Sequence, residues 1–357
     1  LYTMCTVSVL LMAAALLFRQ HILSLIFGRV ESDVMNSALV YFLLTAAAYP
    51  FMGIYNAGAA LFRAMGNSKV SMFCSLIINI INIVVNAIFI FGFQFGSAGA
   101  GIGTLVSRIA AAVIIMVLLN HPDHTVRVDG LLRIQLNGDM VKRILFIGIP
   151  NGLENGMFQA GKLMVLNLIT TFGTSAVAAN AIANSVAGVV NVPGMALGLA
   201  IITVIGRCMG AGAIDQAVSY TKRLVGASYL FMLVMSTAMF FLADFLVSLF
   251  NLSPEAAVMA AQVLRICAVG NVIFWPLAFT LPNSLRAAGD AVFTMIVSLC
   301  SMFACRVALS YVLACSWGMN LGLAGVWLAM VADWVVRSAF FLLRYWWGGW
   351  KKIKVIE

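Results

Sequence analysis

The sequence predicts an all-α polytopic membrane protein built as a two-lobe helical bundle, and three observations predict it. Of 357 residues, 63% are hydrophobic and 9% charged, against about 25% charged in soluble domains, so there are too few polar side chains to cover a water-facing globule. Apolar runs of about 20 residues, enough to cross ~30 Å of hydrocarbon, recur along the whole length. The chain also repeats itself. Leu285-Arg-Ala-Ala-Gly-Asp290 echoes Phe62-Arg-Ala-Met-Gly-Asn67 at an offset of 223, and Ile26-Phe27, Glu31, Val34-Met35 and Ala100-Gly101 recur at 223 to 224 residues.

The spans follow in order. The first, near 1–18, stops before Arg19, and the second, 35–60, runs into the Arg63 turn. Spans 69–92 and 99–119 lead to the longest polar stretch, 120–143. Beyond it come 144–171 and 177–206, a basic loop over 207–223, then 223–244 and 256–282, which ends at the Arg286 turn. Spans 291–314 and 323–345 complete the set, followed by a basic tail. This gives an N-lobe over 1–119 with four helices, a cytoplasmic linker over 120–143 lying along the membrane surface, a C-lobe over 144–346 with six helices, and a cytoplasmic tail over 347–357. The repeat places the counterparts of 144–171 and 177–206 upstream of Leu1, so ten transmembrane helices are expected here out of twelve. Two such halves are how many secondary transporters are built, and an even helix number per repeat gives both copies the same orientation. Both Arg-Ala-x-Gly turns then face the cytoplasm, and Gly66 and Gly289 are expected to supply the left-handed residue that ends each helix.

The net charge of +9 is a matter of topology rather than nucleic-acid binding. Assigning the loops alternately to the two sides puts fourteen Lys and Arg on one side and two, Arg19 and Arg29, on the other. The positive-inside rule then orients the chain in a plasma (inner) membrane with its C-terminus cytoplasmic. Tyr345-Trp-Trp-Gly-Gly-Trp350-Lys-Lys reads as an interfacial anchor. Seven cysteines without a Cys-x-x-Cys pair read as small apolar fillers, and His21, His121 and His124 as loop residues, so no metal site is assigned.

Ionisable and amide side chains inside the spans are the candidate sites, because each costs free energy in lipid unless paired or hydrated. Glu154 is expected near the midplane, about ten residues into its helix, with Asn151, Asn155, Gln159 and Lys162 around it and Pro150 freeing a carbonyl. It reads as a sodium or proton site, or else as half of a structural Glu154–Lys162 pair. Asn79, Asn82 and Asn86 form one stripe, and Asn180, Asn184 and Asn191 another; both read either as ligands for a substrate or sodium or as interhelical hydrogen bonds. Asp333 and Arg337, at i and i+4, are expected to neutralise each other. Arg108, Arg265 and Arg306 have no partner evident in the sequence. Gly156 to Lys162 matches the spacing of a phosphate-binding loop, but Leu163 replaces the Ser or Thr and no strand precedes it, so ATP hydrolysis is not expected.

Gly148-Ile-Pro-Asn-Gly-Leu-Glu154, Thr171-Phe-Gly173, Ala178-Ala-Asn-Ala181 and Gly206-Arg-Cys-Met-Gly-Ala-Gly212 resemble the seventh and eighth helices of multidrug and toxic compound extrusion (MATE) transporters. Leu61 to Gly66, Asn82 with Gly92, and Ala98 to Gly103 resemble that family's fourth to sixth helices. The likeness covers nearly the whole chain. It implies two six-helix lobes around a central cavity, a monomer, and export of small organic cations by antiport with sodium or protons, with no other cofactor. Glu154 lies on the helix where several members use an acid; the tenth helix, Ala256 to Pro282, carries none. A flippase for lipids or lipid-linked oligosaccharides of similar architecture is the alternative, and it would present a strongly basic cavity. An embedded enzyme or receptor would need a catalytic constellation or a large soluble domain, and neither is in the sequence.

Overall fold

The computed structural model describes residues 1–27, 32–120 and 137–353, and these form two compact units, Leu1–Val141 and Lys142–Glu357. Arg29, Glu31, His121, His124 and most of the expected surface linker lie outside the described residues. Among the described residues every regular element is a helix.

The first unit holds α1 (Tyr2–Leu17), α2 (Arg19–Phe27), α3 (Ser32–Ala47), α4 (Tyr49–Ala64), α5 (Ser68–Ala87) and α6 (Gly96–Leu119). α6 is its centre, packed by α3, α4 and α5 around Phe62, Cys74, Ile78, Ala111, Ile115 and Leu119. The second unit holds α7 (Gly138–Thr170), α8 (Thr174–Gly210), α9 (Ile214–Phe241), α10 (Ala243–Ser248), α11 (Pro254–Ile273), α12 (Leu281–Ala287), α13 (Ala291–Ser301), α14 (Leu309–Ala314) and α15 (Gly322–Trp347). π-helical turns at Pro276–Thr280 and Met302–Ala308 join α11 to α12 and α13 to α14. Helix covers each of the ten expected ranges, several of them as consecutive shorter helices. Eight stretches among the described residues are long and apolar enough to cross a membrane, and Tyr2–Leu17 is a shorter apolar helix. The remaining span, α7, carries the polar run around Glu154.

Hydrocarbon gives helices no hydrophobic reason to associate, so close packing must come from small side chains. On α8, Gly194 seats Trp275, and a methyl group added to Gly198 would lie 2.5 Å from Asn283 Nδ2. Gly161 of α7 seats Met302, and Gly103 of α6 seats Asn86. Asn82 Nδ2 donates to Ser107 Oγ at 3.3 Å and Asn86 Nδ2 to Asn82 Oδ1 at 3.1 Å, so this stripe ties α5 to α6. Asn79 faces outward.

The repeated turns are alike in detail. Gly66 has φ +84° and Gly289 φ +94°. In the first copy Gly66 N donates to Arg63 O and Asn67 N to Phe62 O; in the second Gly289 N donates to Arg286 O and Asp290 N to Leu285 O. Both are Schellman closures, as the glycines predict. Gly212, φ +70°, closes α8 in the same way.

The C-terminal anchor needs a correction. Trp346 and Trp347 are exposed as an interfacial belt requires, but Trp350 is fully buried. Left-handed Gly348 turns the chain back, so that the Trp350 ring stacks on Tyr345 at 5.3 Å and its Nε1 donates to Tyr345 O.

Gly289→Ala forces a Cβ into a left-handed residue and should lower stability by about 1–2 kcal/mol. Gly206→Ala, in α8 with open space around it, should cost nothing. Thermal unfolding of the two variants in detergent checks the difference.

Candidate functional site

The polar interior of the second unit is assembled from α7, α8, α12, α15 and the Met302–Ala308 turn. Glu154 lies mid-way along α7, sixteen residues from either end. This helix starts six residues earlier than expected and has 33 residues. At 1.5 Å per residue it exceeds a ~30 Å hydrocarbon layer, so position along it does not give midplane depth.

Glu154 is 7% exposed, and its Oε1 accepts from Arg286 Nη2 at 2.5 Å. Arg286 Nη1 also donates to Asn283 Oδ1 at 2.8 Å, and Asn283 Nδ2 to Phe279 O at 3.0 Å. Two expectations fall here. The Glu154–Lys162 pair does not form, because eight residues place the two groups about 12 Å apart along one helix. Nor is Arg286 a solvated loop charge. It sits in the last turn of α12, and helical side chains lean toward their own N-terminus, which carries its guanidinium back into the bundle. Glu154 Oε2 and Arg286 Nε are buried with no hydrogen-bond partner among the described residues.

A second ion pair forms as expected. Arg337 Nε donates to Asp333 Oδ1 at 2.8 Å and to Ser301 Oγ at 2.9 Å. Ser301 Oγ donates to the same Oδ1 at 2.5 Å, and Arg337 Nη2 donates to Ser298 O at 3.1 Å. Asp333 is fully buried.

Phe158, one turn beyond Glu154, lies among three cations. Lys162 Nζ is 5.0 Å from its centroid, Arg306 Cζ 5.2 Å and Arg337 Cζ 5.4 Å. Lys162 and Arg306 also line a cavity of about 540 Å³ together with Gln159, Asn180 and Asn184. Its apolar wall includes Val165, Ile169, Val326, Trp327 and Met330. Asn180 Oδ1 accepts from both Asn184 Nδ2, at 3.0 Å, and Trp327 Nε1, at 3.2 Å.

Four expected site residues, Gln159, Lys162, Asn180 and Asn184, thus share one cavity. Glu154 forms a separate locus with Arg286, and Asn155 bonds back to Asn151 O on its own helix. Asn79, Asn82 and Asn86 belong to the first unit. Of the arginines without an evident partner, Arg265 pairs with Asp244 at 2.6 Å on the exposed surface, and Arg306 enters the cavity wall. Arg108 Nε, in the first unit, is buried without a hydrogen-bond partner among the described residues. The sequence reading missed Arg286, Phe158 and Trp327. The signal for Arg286 was present in Glu154 itself, a buried acid with no cation at i±3 or i±4 on its own helix.

Gly156 to Lys162 lies inside α7, so it forms no phosphate-binding loop. No cluster of three His, Cys, Asp or Glu that could hold a metal occurs among the described residues. What the arrangement offers is binding: a half-polar, half-apolar hollow beside two buried ion pairs.

The MatE family model matches residues 1–88 and 147–312. A Thermotoga maritima protein named a probable multidrug resistance protein NorM is 26% identical over 336 residues, covering 93% of this chain and 71% of that one. A MOP superfamily transporter from Pyrococcus furiosus superposes with a TM-score of 0.88 at 21% identity, over 98% of this chain and 77% of that one. A crystal structure of MATE in the bent conformation gives 0.87 at 20% identity, over 99% and 78%. A multi-pass helical membrane protein with this repeat, these turns and this match over both units, the chain belongs to the MatE family of transporters rather than to any class of enzyme.

Proposed function

We propose that this protein is a secondary active multidrug exporter, moving amphipathic organic compounds out of the cell by antiport with sodium or protons. The observation that carries this reading is the cavity of the second unit. It combines charged and amide groups with Trp327 and an aliphatic wall inside a helical lobe. The name of the Thermotoga relative supports it. Small organic cations are the cargo the family resemblance implies, but this wall carries Lys162, Arg306 and no carboxylate, so a cation would be held elsewhere. The same basic wall favours the second reading, flipping of an anionic lipid or lipid-linked sugar.

Coupling is assigned to Glu154. In the structure its charge is taken by Arg286. A proton or sodium ion arriving at the carboxylate would displace the guanidinium, and that exchange is a two-state element a gradient can bias. The excess of basic residues on one side of the assigned topology supports a cytoplasmic C-terminal tail, and export from the cell supports a place in the plasma (inner) membrane.

Reconstitution of the full chain in vesicles, with sodium and proton gradients imposed separately, tests the function. Export of a fluorescent drug should follow one gradient and stop when it is dissipated; no gradient-driven movement of any compound would overturn the reading. Glu154→Gln should abolish gradient-driven export and also strand Arg286, at about 3–5 kcal/mol of stability. Adding Arg286→Gln should restore most of the stability without restoring export. Wild-type export by the double variant would reduce the pair to a structural role. A cysteine placed at position 351 in a cysteine-free background should react with an impermeant reagent from the cytoplasmic side alone.

A further inference from the structure

Around the polar core and cavity of the second unit, four cations meet two acids, with Arg306 and Arg337 buried and Lys162 exposed. Glu154 is bonded to Arg286 and Asp333 to Arg337, so both carboxylates are already committed. Lys162 and Arg306 remain without a carboxylate partner, and both line the same cavity. Arg306 is 9% exposed, donates no side-chain hydrogen bond among the described residues, and has the Phe158 face 5.2 Å away as its aromatic neighbour. It is held on the π-helical Met302–Ala308 segment, a distortion that recurs at functional sites. A ring face attracts a cation but does not cancel its charge.

The neutral groups on the wall point the same way. The acceptor oxygen of Asn180 is occupied by two donors, Asn184 Nδ2 and Trp327 Nε1. The wall therefore presents the Lys162 ammonium, the Arg306 guanidinium and the Asn180 amide nitrogen as donors, with the Gln159 and Asn184 amides able to donate or accept beside them. Beside them lie Val165 and Ile169, on the Lys162 face of α7, with Val326 and Met330 of α15. A buried guanidinium with no carboxylate within ion-pair distance and no hydrogen-bond acceptor, close to an exposed ammonium on the same cavity, is stabilised by an anion that reaches both.

We infer that this cavity is an anion-accepting subsite, in which Lys162 and Arg306 hold the carboxylate, sulfonate or phosphate of an amphipathic organic anion while its apolar part lies on the aliphatic wall. The inference rests on the proposed transport function and names the cargo class of the second unit. The anionic group comes either from a free organic anion or from a lipid headgroup.

The test is equilibrium binding to the full chain in phosphatidylcholine nanodiscs, using radiolabelled taurocholate as the amphipathic anion and tetraphenylphosphonium as a cation of similar bulk. Taurocholate should bind saturably, and Lys162→Gln and Arg306→Gln should each weaken it by about tenfold, with tetraphenylphosphonium unaffected. Arg306→Lys, which keeps the charge, should stay within about threefold of wild type; together with Lys162→Gln it reads the site even where Arg306→Gln does not fold. Adding phosphatidylglycerol to the nanodisc separates the sources. Weaker taurocholate binding to the wild type in phosphatidylglycerol than in phosphatidylcholine nanodiscs, an effect absent for tetraphenylphosphonium, assigns the site to a lipid headgroup, and unchanged affinity assigns it to a free anion. No saturable taurocholate binding, or binding that neither substitution weakens, overturns the inference. Because binding is read without a gradient, a protein that exports nothing but binds taurocholate through these residues refutes the exporter reading alone. One that exports tetraphenylphosphonium but ignores taurocholate refutes the anion site alone.

Discussion

The second unit depends on how it disposes of charge in a medium that does not solvate it. An isolated ion in hydrocarbon is costly, and even a buried pair is stable only when its geometry is good and its remaining polar atoms are occupied. Asp333 and Arg337 come closer to that condition, with Asp333 Oδ2 the one atom of the pair that is buried without a hydrogen-bond partner among the described residues. One carboxylate oxygen takes both an arginine nitrogen and the Ser301 hydroxyl, and the other end of the guanidinium reaches a backbone carbonyl. The Glu154–Arg286 pair is held less completely, with Glu154 Oε2 and Arg286 Nε both buried and unpartnered. The better-satisfied pair is suited to staying closed and the poorly satisfied one to exchanging partners.

Packing and charge are linked through small residues. Gly198 brings α8 close enough for Asn283 to fit, and Asn283 in turn holds Arg286 beside Glu154. Gly161 does the same for Met302, at the start of the π-helical segment that carries Arg306. Phe158 occupies the space between the pairs and supplies a polarisable face to three cations where no further carboxylate exists. A side chain at either glycine would displace the donor or the cation, so these positions govern the site without touching a ligand.

The two repeated turns show how one motif takes two roles. Their backbones close with the same hydrogen bonds and the same left-handed glycine. Yet Arg63 Nη1 donates to the Ser71 hydroxyl at 3.2 Å, whereas Arg286 meets an acid on another helix. The difference comes from the partner helix, since an arginine at the end of a helix always leans back toward the bundle and takes what is presented there.

Much of the architecture was legible in the sequence because hydropathy, glycine and charge are local signals. Runs of apolar residues mark where the long helices lie, since a backbone in lipid must satisfy its own hydrogen bonds. The glycines of the Arg-Ala-x-Gly turns, and the i, i+4 spacing of Asp333 and Arg337, specify contacts within one turn of chain. What joins residues far apart was not legible. Glu154 and Arg286 are 132 positions apart, Asn180 and Trp327 147, and the sequence holds no record of which helices become neighbours. Lys162 seemed the natural partner for Glu154 because it is near in sequence, but distance along a helix is fixed by its rise while distance between helices is set by packing. The sequence by itself determined a duplicated, helical, membrane-spanning chain and the turns that punctuate it. Only the tertiary structure decided which charges cancel, and it thereby left Lys162 and Arg306 in surplus on a single wall.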